Sequence, residues 1–159
     1  MTKSFQRASA VVAFALSLVA LARHSIGADG KILGTTDCQL SGDAGGRLTY
    51  LVGGVTNSSG INRDVICGVV RDNTTNTNGI SDLEMAVSDP TTGSFFCDAI
   101  SADRNGNLLK VVRRTSTHSG PQILDWGNTL NVGGNKGHYA ITCTVPANGV
   151  IHSVFVNEF

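Results

Sequence analysis

Asp103, Asn105 and Asn107 alternate within SADRNGNLLK (101–110), as the first three oxygen ligands do in a helix-loop-helix calcium loop. Such a loop also needs glycine at its sixth position and a bidentate glutamate at its twelfth. Counted from Asp103, those positions hold Leu108 and Arg114, and Gly106 falls at the fourth. The run therefore reads as a hairpin, because Asn-Gly between alternating strands is the strongest short turn signal. A calcium site survives only as an edge site in which Asp103 is joined by Asp89 or Asp72 from another loop. No metal centre is assigned.

Nucleophile chemistry is equally thin. STHSG (116–120) places Ser116, His118 and Ser119 together, but a triad is defined by spatial geometry, not by proximity in sequence. There is no Gly-x-Ser-x-Gly elbow, so a polar turn explains the run better. His118, His138 and His152 are too dispersed to suggest a metal cluster. Glycoside hydrolysis needs paired carboxylates. Glutamate occurs only at Glu84 and Glu158, and of the strand-borne Asp98 and Asp125 the first pairs with Arg113. These observations assign no catalytic residue and no cofactor, and the chain reads as a non-enzyme. The candidate ligand-binding residues are Trp126 and Tyr139, flat rings on which a sugar could stack; a core role for a lone Trp is the competing reading. Asn57-Ser58-Ser59 and Asn73-Thr74-Thr75 fit the glycosylation acceptor pattern, which has meaning only in a eukaryotic host.

The four cysteines, Cys38, Cys67, Cys97 and Cys143, point to the compartment. Their separations rule out the close Cys-x-x-Cys of zinc ribbons and redox sites. An even count in an exported chain reads as two disulfides. Of three possible pairings, Cys97–Cys143 is preferred because both lie in strand-like runs, which leaves Cys38–Cys67. Export is expected from residues 1–28: a basic start with Lys3 and Arg7, then the apolar run ASAVVAFALSLVALA, too short for a comfortable membrane span. Cleavage is expected after Ala28, with Ala22 the alternative. No lipid-anchor cysteine or Arg-Arg pair accompanies the leader, which favours the general secretion route. Removing Lys3, Arg7 and Arg23 leaves nine basic and twelve acidic residues, a net charge of −3. That balance offers nothing to a phosphate backbone, so nucleic acid is excluded as a partner. No membrane span is expected in the mature chain.

The elements that must position these residues are strands. Charged residues make up only 15% of the chain and glycines number 19, a composition suited to many turns. Strands are expected over 47–55, 64–70, 82–87, 94–102, 108–115, 121–126, 129–132, 138–145 and 150–156. Residues 72–79 read as a mobile surface loop. On 138–145, Tyr139, Ile141, Cys143 and Val145 share a face. On 150–156, Val150, His152, Val154 and Val156 do. With a two-residue turn at Asn105-Gly106, Ile100 faces Val111 and Asp98 faces Arg113, making Ile100, Ala102, Leu109 and Val111 the core face. That register turns Cys97 away from the core, in conflict with a buried Cys97–Cys143 bridge. A three-residue loop with a bulge at Gly106 shifts the pairing by one. The expected fold is a single domain over 29–159, all-β, a two-sheet antiparallel sandwich of Ig-like or jelly-roll style with about eight strands, stabilised by disulfides.

GVTNSS (54–59), ICGVVRD (66–72), the middle cysteine Cys97 and YAITCTVPANGVI (139–151), with Glu158 near the end, resemble a family of small exported proteobacterial β-sandwich proteins with four cysteines. The family pattern has proline after the second cysteine, where this chain has Gly68. The resemblance implies a secreted or periplasmic bacterial protein and carries no activity or site residues. The functional expectation is an exported, non-enzymatic structural or binding protein. Its alternatives are a carbohydrate-binding module using Trp126 or Tyr139, and a self-assembling surface subunit with an open edge at 150–156.

Overall fold

Short apolar runs of period two, each closed by a glycine- or asparagine-rich turn, cannot sustain a helical face but can each bury one side of a strand. The computed structural model describes residues 29–42, 47–70, 79–130 and 137–158. The expected leader, Asp72, the Asn73 acceptor pattern and most of the 72–79 loop lie outside the described residues. The described chain forms β1 (Asp29–Leu33), a 3₁₀ turn (Thr35–Asp37), β2 (Cys38–Leu40), β3 (Leu48–Leu51), β4 (Gly54–Asn57), β5 (Arg63–Val69), β6 (Ile80–Asp89), β7 (Phe96–Ala102), β8 (Leu108–Thr115), β9 (Gly120–Asp125), β10 (His138–Val145) and β11 (Val150–Glu158). They make two antiparallel sheets. One has the order β3-β4-β11-β6-β9, with β1 also on β11; the other has the order β2-β5-β10-β7-β8.

The count departs from eight for local reasons. The run 47–55 is a hairpin, β3 and β4, because Val52-Gly53 turns the chain. β1 and β2 are too short to announce themselves. The strand expected at 129–132 is not formed where it is described: residues 127–130 are a turn, in which the Thr129 amide and hydroxyl donate to the Trp126 carbonyl at 3.0 and 2.5 Å.

Between the sheets lie Val65, Cys67 and Val69 of β5, Leu83, Met85 and Val87 of β6, and Tyr139, Ile141, Cys143 and Val145 of β10. Each set alternates as expected. β11 does not hold one face throughout. A register shift between Ile151 and Ser153 buries Ile151 before it and Val154 and Val156 after it, and leaves His152 outside.

The β7–β8 hairpin resolves the conflict over Cys97. Asp98 faces Arg113 and Ile100 faces Val111, as the two-residue turn requires. The turn itself, however, is the three-residue one: Gly106 donates to the Asp103 carbonyl at 3.0 Å, Asp103 donates to Asn107 at 2.9 Å, and Gly106 is left-handed at φ +84°. A second irregularity between Ser101 and Ala102 restores the register. The expected core face is therefore corrected. Cys97, Ala99 and Ser101 point inward, while Ile100, Leu109 and Val111 point out and only Ala102, beyond the irregularity, is buried. Cross-strand register fixes neighbours, not the side of the sheet. The side is decided by Cys97 lying opposite Cys143, already on the core face of β10.

Cys97–Cys143 and Cys38–Cys67 are the disulfides. Each joins directly opposed residues on adjacent strands of the five-stranded sheet. Met85 Sδ rests 3.7 and 3.6 Å from the sulfurs of Cys97 and Cys143. Without S–H hydrogens these are packing contacts rather than hydrogen bonds, and they tie the bridge to the opposite sheet.

Candidate functional site

Trp126 and Tyr139 are not ligand platforms: they are 1% and 5% exposed. Trp126 follows β9, where it closes one side of the sandwich. Its indole N–H donates to the Val112 carbonyl of β8 at 2.8 Å and its amide donates to Leu83 at 2.9 Å. Beside it, Arg114 reaches from β8 to the Asp125 carbonyl at 2.6 Å. A large ring with one polar handle suits such a seam. Tyr139 lies on the inward face of β10, where the alternation of that strand places it.

The broad surface that remains is the outer face of the five-stranded sheet, which the register divides into three rungs. Gly68, Ala140, Ile100 and Val111 form one; Ile66, Thr142, Asp98 and Arg113 the next; Asp64, Thr144, Phe96 and Thr115 the third. On the β5 and β10 side the small residues Gly68 and Ala140 and the hydroxyls of Thr142 and Thr144 stand beside Ile66 and Asp64. The β7 and β8 side carries Phe96, Asp98, Ile100, Val111 and Arg113. There Arg113 makes two bonds to Asp98, at 2.8 and 2.6 Å, and lies 4.5 Å above the Phe96 ring. The guanidinium holds the Asp98 carboxyl below the usual carboxylate range, chiefly by hydrogen bonding. Thr144 donates to Asp64 at 2.7 Å. The face thus presents donors and acceptors held by hydrogen bonds beside the small residues Gly68 and Ala140. The Asp98–Arg113 pair is legible in the sequence but the face is not, because Ile100 and Val111 carry core-like side chains and yet point outward.

On the outer face of the other sheet, carboxylate oxygens of Asp82, Glu84 and Asp125 lie within 4.8 Å of one another. Burial first, then Asp82 and Asp125, push the Glu84 carboxyl up. The edge calcium site built on Asp103 and Asp89 does not form. Asp103 follows β7 and Asp89 precedes it, at opposite ends of the strand. Asp103 instead accepts the Asn105 and Asn107 amides, both at 2.8 Å. Asp89 is buried, accepting from Thr91, Ser94, Phe95 and Ser116.

STHSG is the polar turn expected. Ser116 serves Asp89, and His118 bonds to the Ser119 carbonyl at 3.1 Å. Asn57 of the acceptor pattern is fully buried. Among the described residues, a serine and a histidine side chain meet at Ser88 and His152, 2.7 Å apart. They are 64 residues apart, and no local signal joins them.

No family model matches the chain, and no curated protein matches it. Among solved structures it is similar to a xylan-binding module, CBM15, at 12% identity and TM-score 0.49 over 83% of this chain and 97% of that one. It is also similar to a family 35 carbohydrate-binding module from Clostridium thermocellum (15%, TM-score 0.44, 83% and 100%). A third is the CBM35 of Paenibacillus barcinonensis (14%, TM-score 0.43, 82% and 98%).

Proposed function

We propose that this chain is an exported, non-enzymatic binding protein, that its contact surface is the outer face of the five-stranded sheet, and that its ligand is a glycan. The observation that carries this reading is the three-rung face. A floor of Gly68, Ala140 and Thr142 lies beside a charge pair already clamped in place, so donors and acceptors are ordered before a ligand arrives. Hydroxyl, carboxylate and guanidinium groups on a flat surface suit a long hydroxylated chain better than an apolar partner.

Self-assembly by strand addition has less support. β11, expected as the open edge, lies between β6 on one side and β1 and β4 on the other. The edge strand β8 carries Lys110, Arg113 and Arg114, and the edge strand β9 carries Pro121. Like charges and proline blunt strand pairing.

The test is retention on insoluble polysaccharides (xylan, cellulose, chitin and peptidoglycan sacculi) by the purified chain and by Gly68→Arg. A Cβ at Gly68 meets nothing within 4 Å and its φ is not positive, so the variant keeps its melting temperature while obstructing the floor. Retention on one polymer, reduced at least tenfold in the variant, is the expected result. Retention unchanged by Gly68→Arg overturns the face, and retention on none of the polymers overturns the glycan.

A further inference from the structure

His152 is the residue left outside where β11 slips register between Ile151 and Ser153. A bulge of this kind bends the strand and re-aims a side chain. The β3–β4 turn closes onto it. Gly54 has φ +147°, and a Cβ there would lie 2.3 Å from the Ile151 carbonyl oxygen and 3.1 Å from the His152 Cα. Only glycine lets the turn come this near. As a result the Gly53 carbonyl reaches His152 Nδ1 at 2.9 Å.

That contact settles the chemistry of the ring. A carbonyl can only accept, so Nδ1 carries the hydrogen, and in the neutral ring Nε2 keeps its lone pair. Nε2 lies 2.7 Å from Ser88 Oγ, so the serine hydroxyl donates to it. A hydroxyl bonded to an imidazole whose other nitrogen is oriented by a third group is the arrangement that activates a serine. Around it are Pro121 and Val150, which face Ser88 on the neighbouring strands. Ile123, two residues along β9, is 60% exposed.

We propose that Ser88 is a nucleophilic acylation site, with His152 as its base, and that it takes short acyl groups from activated esters. Ser88 Oγ attacks the acyl carbon and His152 Nε2 takes the hydroxyl proton. The C–O bond to the leaving alcohol breaks, and the alcohol departs with that proton, leaving an acyl ester on Ser88. The Gly53 carbonyl holds the transient imidazolium through Nδ1–H. The step is stoichiometric and stands apart from the glycan face on the other sheet.

The experiment treats the folded protein with p-nitrophenyl acetate, follows p-nitrophenolate release, and locates acetyl groups by peptide mass spectrometry. Hydroxylamine lability separates serine esters from lysine amides. An ester at Ser88 is expected to form at least tenfold faster than at any other serine. His152→Ala should abolish this preference at unchanged melting temperature, with added imidazole restoring it, and Ser88→Ala should remove the labile ester. Equal labelling across exposed serines, or Ser88 labelling that survives His152→Ala, overturns the proposal. If His152→Ala lowers the melting temperature, His152→Gln in its place and the wild-type Ser88 preference carry the decision.

Discussion

Asn57 sits in a segment that by composition is a polar turn, yet it is completely buried. Its Nδ2 donates to the carbonyls of Ile61, Val145 and Pro146 at 2.8, 2.9 and 3.1 Å. Its Oδ1 accepts the Ser59 amide and hydroxyl at 3.0 and 2.6 Å. Its backbone exchanges bonds with Gly149 and Asn148. One side chain therefore joins the end of β4, the 58–61 loop and the β10–β11 turn. GVTNSS and VPANG, separate motifs in the sequence, become one structure. Asn57→Ala removes these bonds together: the Ile61 and Pro146 carbonyls keep the Ser59 hydroxyl and the Gly149 amide as donors, but the buried Val145 carbonyl and the Ser59 amide lose their Asn57 partner, and each buried loss costs about 1–3 kcal/mol. The expected destabilisation is about 2–4 kcal/mol in total, read as a lower urea midpoint at unchanged slope. Asn57→Asp should be worse, because it turns a carboxylate toward the same carbonyls. A change below about 0.5 kcal/mol, the size of an ordinary surface substitution, would show that this network is not a fastening. The signal for it existed in the sequence only as polar composition. Nothing local distinguishes an asparagine that solvates a turn from one that staples three segments.

At the scale of the element, the β7–β8 hairpin shows what pattern can and cannot give. The Asn-Gly signal placed the turn, and the Asp98–Arg113 and Ile100–Val111 pairs followed. The inward face was misassigned because both faces of β7 carry apolar residues, Phe96 and Ile100 on one and Cys97 and Ala99 on the other. Only a contact from β10 separates them, and that contact lies far away in sequence. The same reasoning predicts how the hairpin responds to acid. Arg113 lowers the Asp98 carboxyl, and the Asn107 side chain, first among several donors, lowers that of Asp103. Hydrogen bonds from Ser116, Ser94, Thr91 and Phe95 hold Asp89 low against its burial. A carboxyl with a lower folded than unfolded value adds stability that is complete above the unfolded value, about 3.9. That stability is lost as pH falls through the folded value. Glu84 has the opposite sign, its contribution being present in acid and lost as pH rises through its raised folded value. Below the unfolded value of a glutamate, about 4.3, the Glu84 contribution no longer changes, so the three lowered carboxyls set the acid limb and the urea midpoint should fall steadily below about pH 4. Asp98→Asn with Asp103→Asn should flatten that fall, and Glu84→Gln should raise the midpoint at neutral pH. An acid limb equally steep in the double variant would remove the hairpin carboxylates from the account.

At the scale of the molecule, the two bridges close separate loops, with sequence separations of 29 and 46. Because the loops neither overlap nor nest, their effects on the unfolded chain add. In the chain-entropy model each contributes roughly 3.5–4 kcal/mol, and the pair about 7–8. Whole domains are stable by only about 5–15 kcal/mol, so the bridges account for a large share of the folding free energy. Both lie within the five-stranded sheet. The six-stranded sheet contains neither bridge and packs Leu83, Met85, Val87, Val154 and Val156 into the core. Trp126 and the Met85 contact to the Cys97–Cys143 sulfurs couple the two sheets, so loss of that bridge also disturbs the interface between them. Cys38 and Cys67, by contrast, join the three-residue edge strand β2 to β5. The non-reduced chain should lack four thiol hydrogens by mass spectrometry. Full reduction should leave it unfolded or close to its midpoint at 25 °C without urea. Replacing Cys38 and Cys67 by alanine should lower stability by about 3–4 kcal/mol, and replacing Cys97 and Cys143 by more than that, since a longer loop is released and a core contact is lost. If the order of the two double variants were reversed, the edge strand rather than the sheet interface would limit the fold.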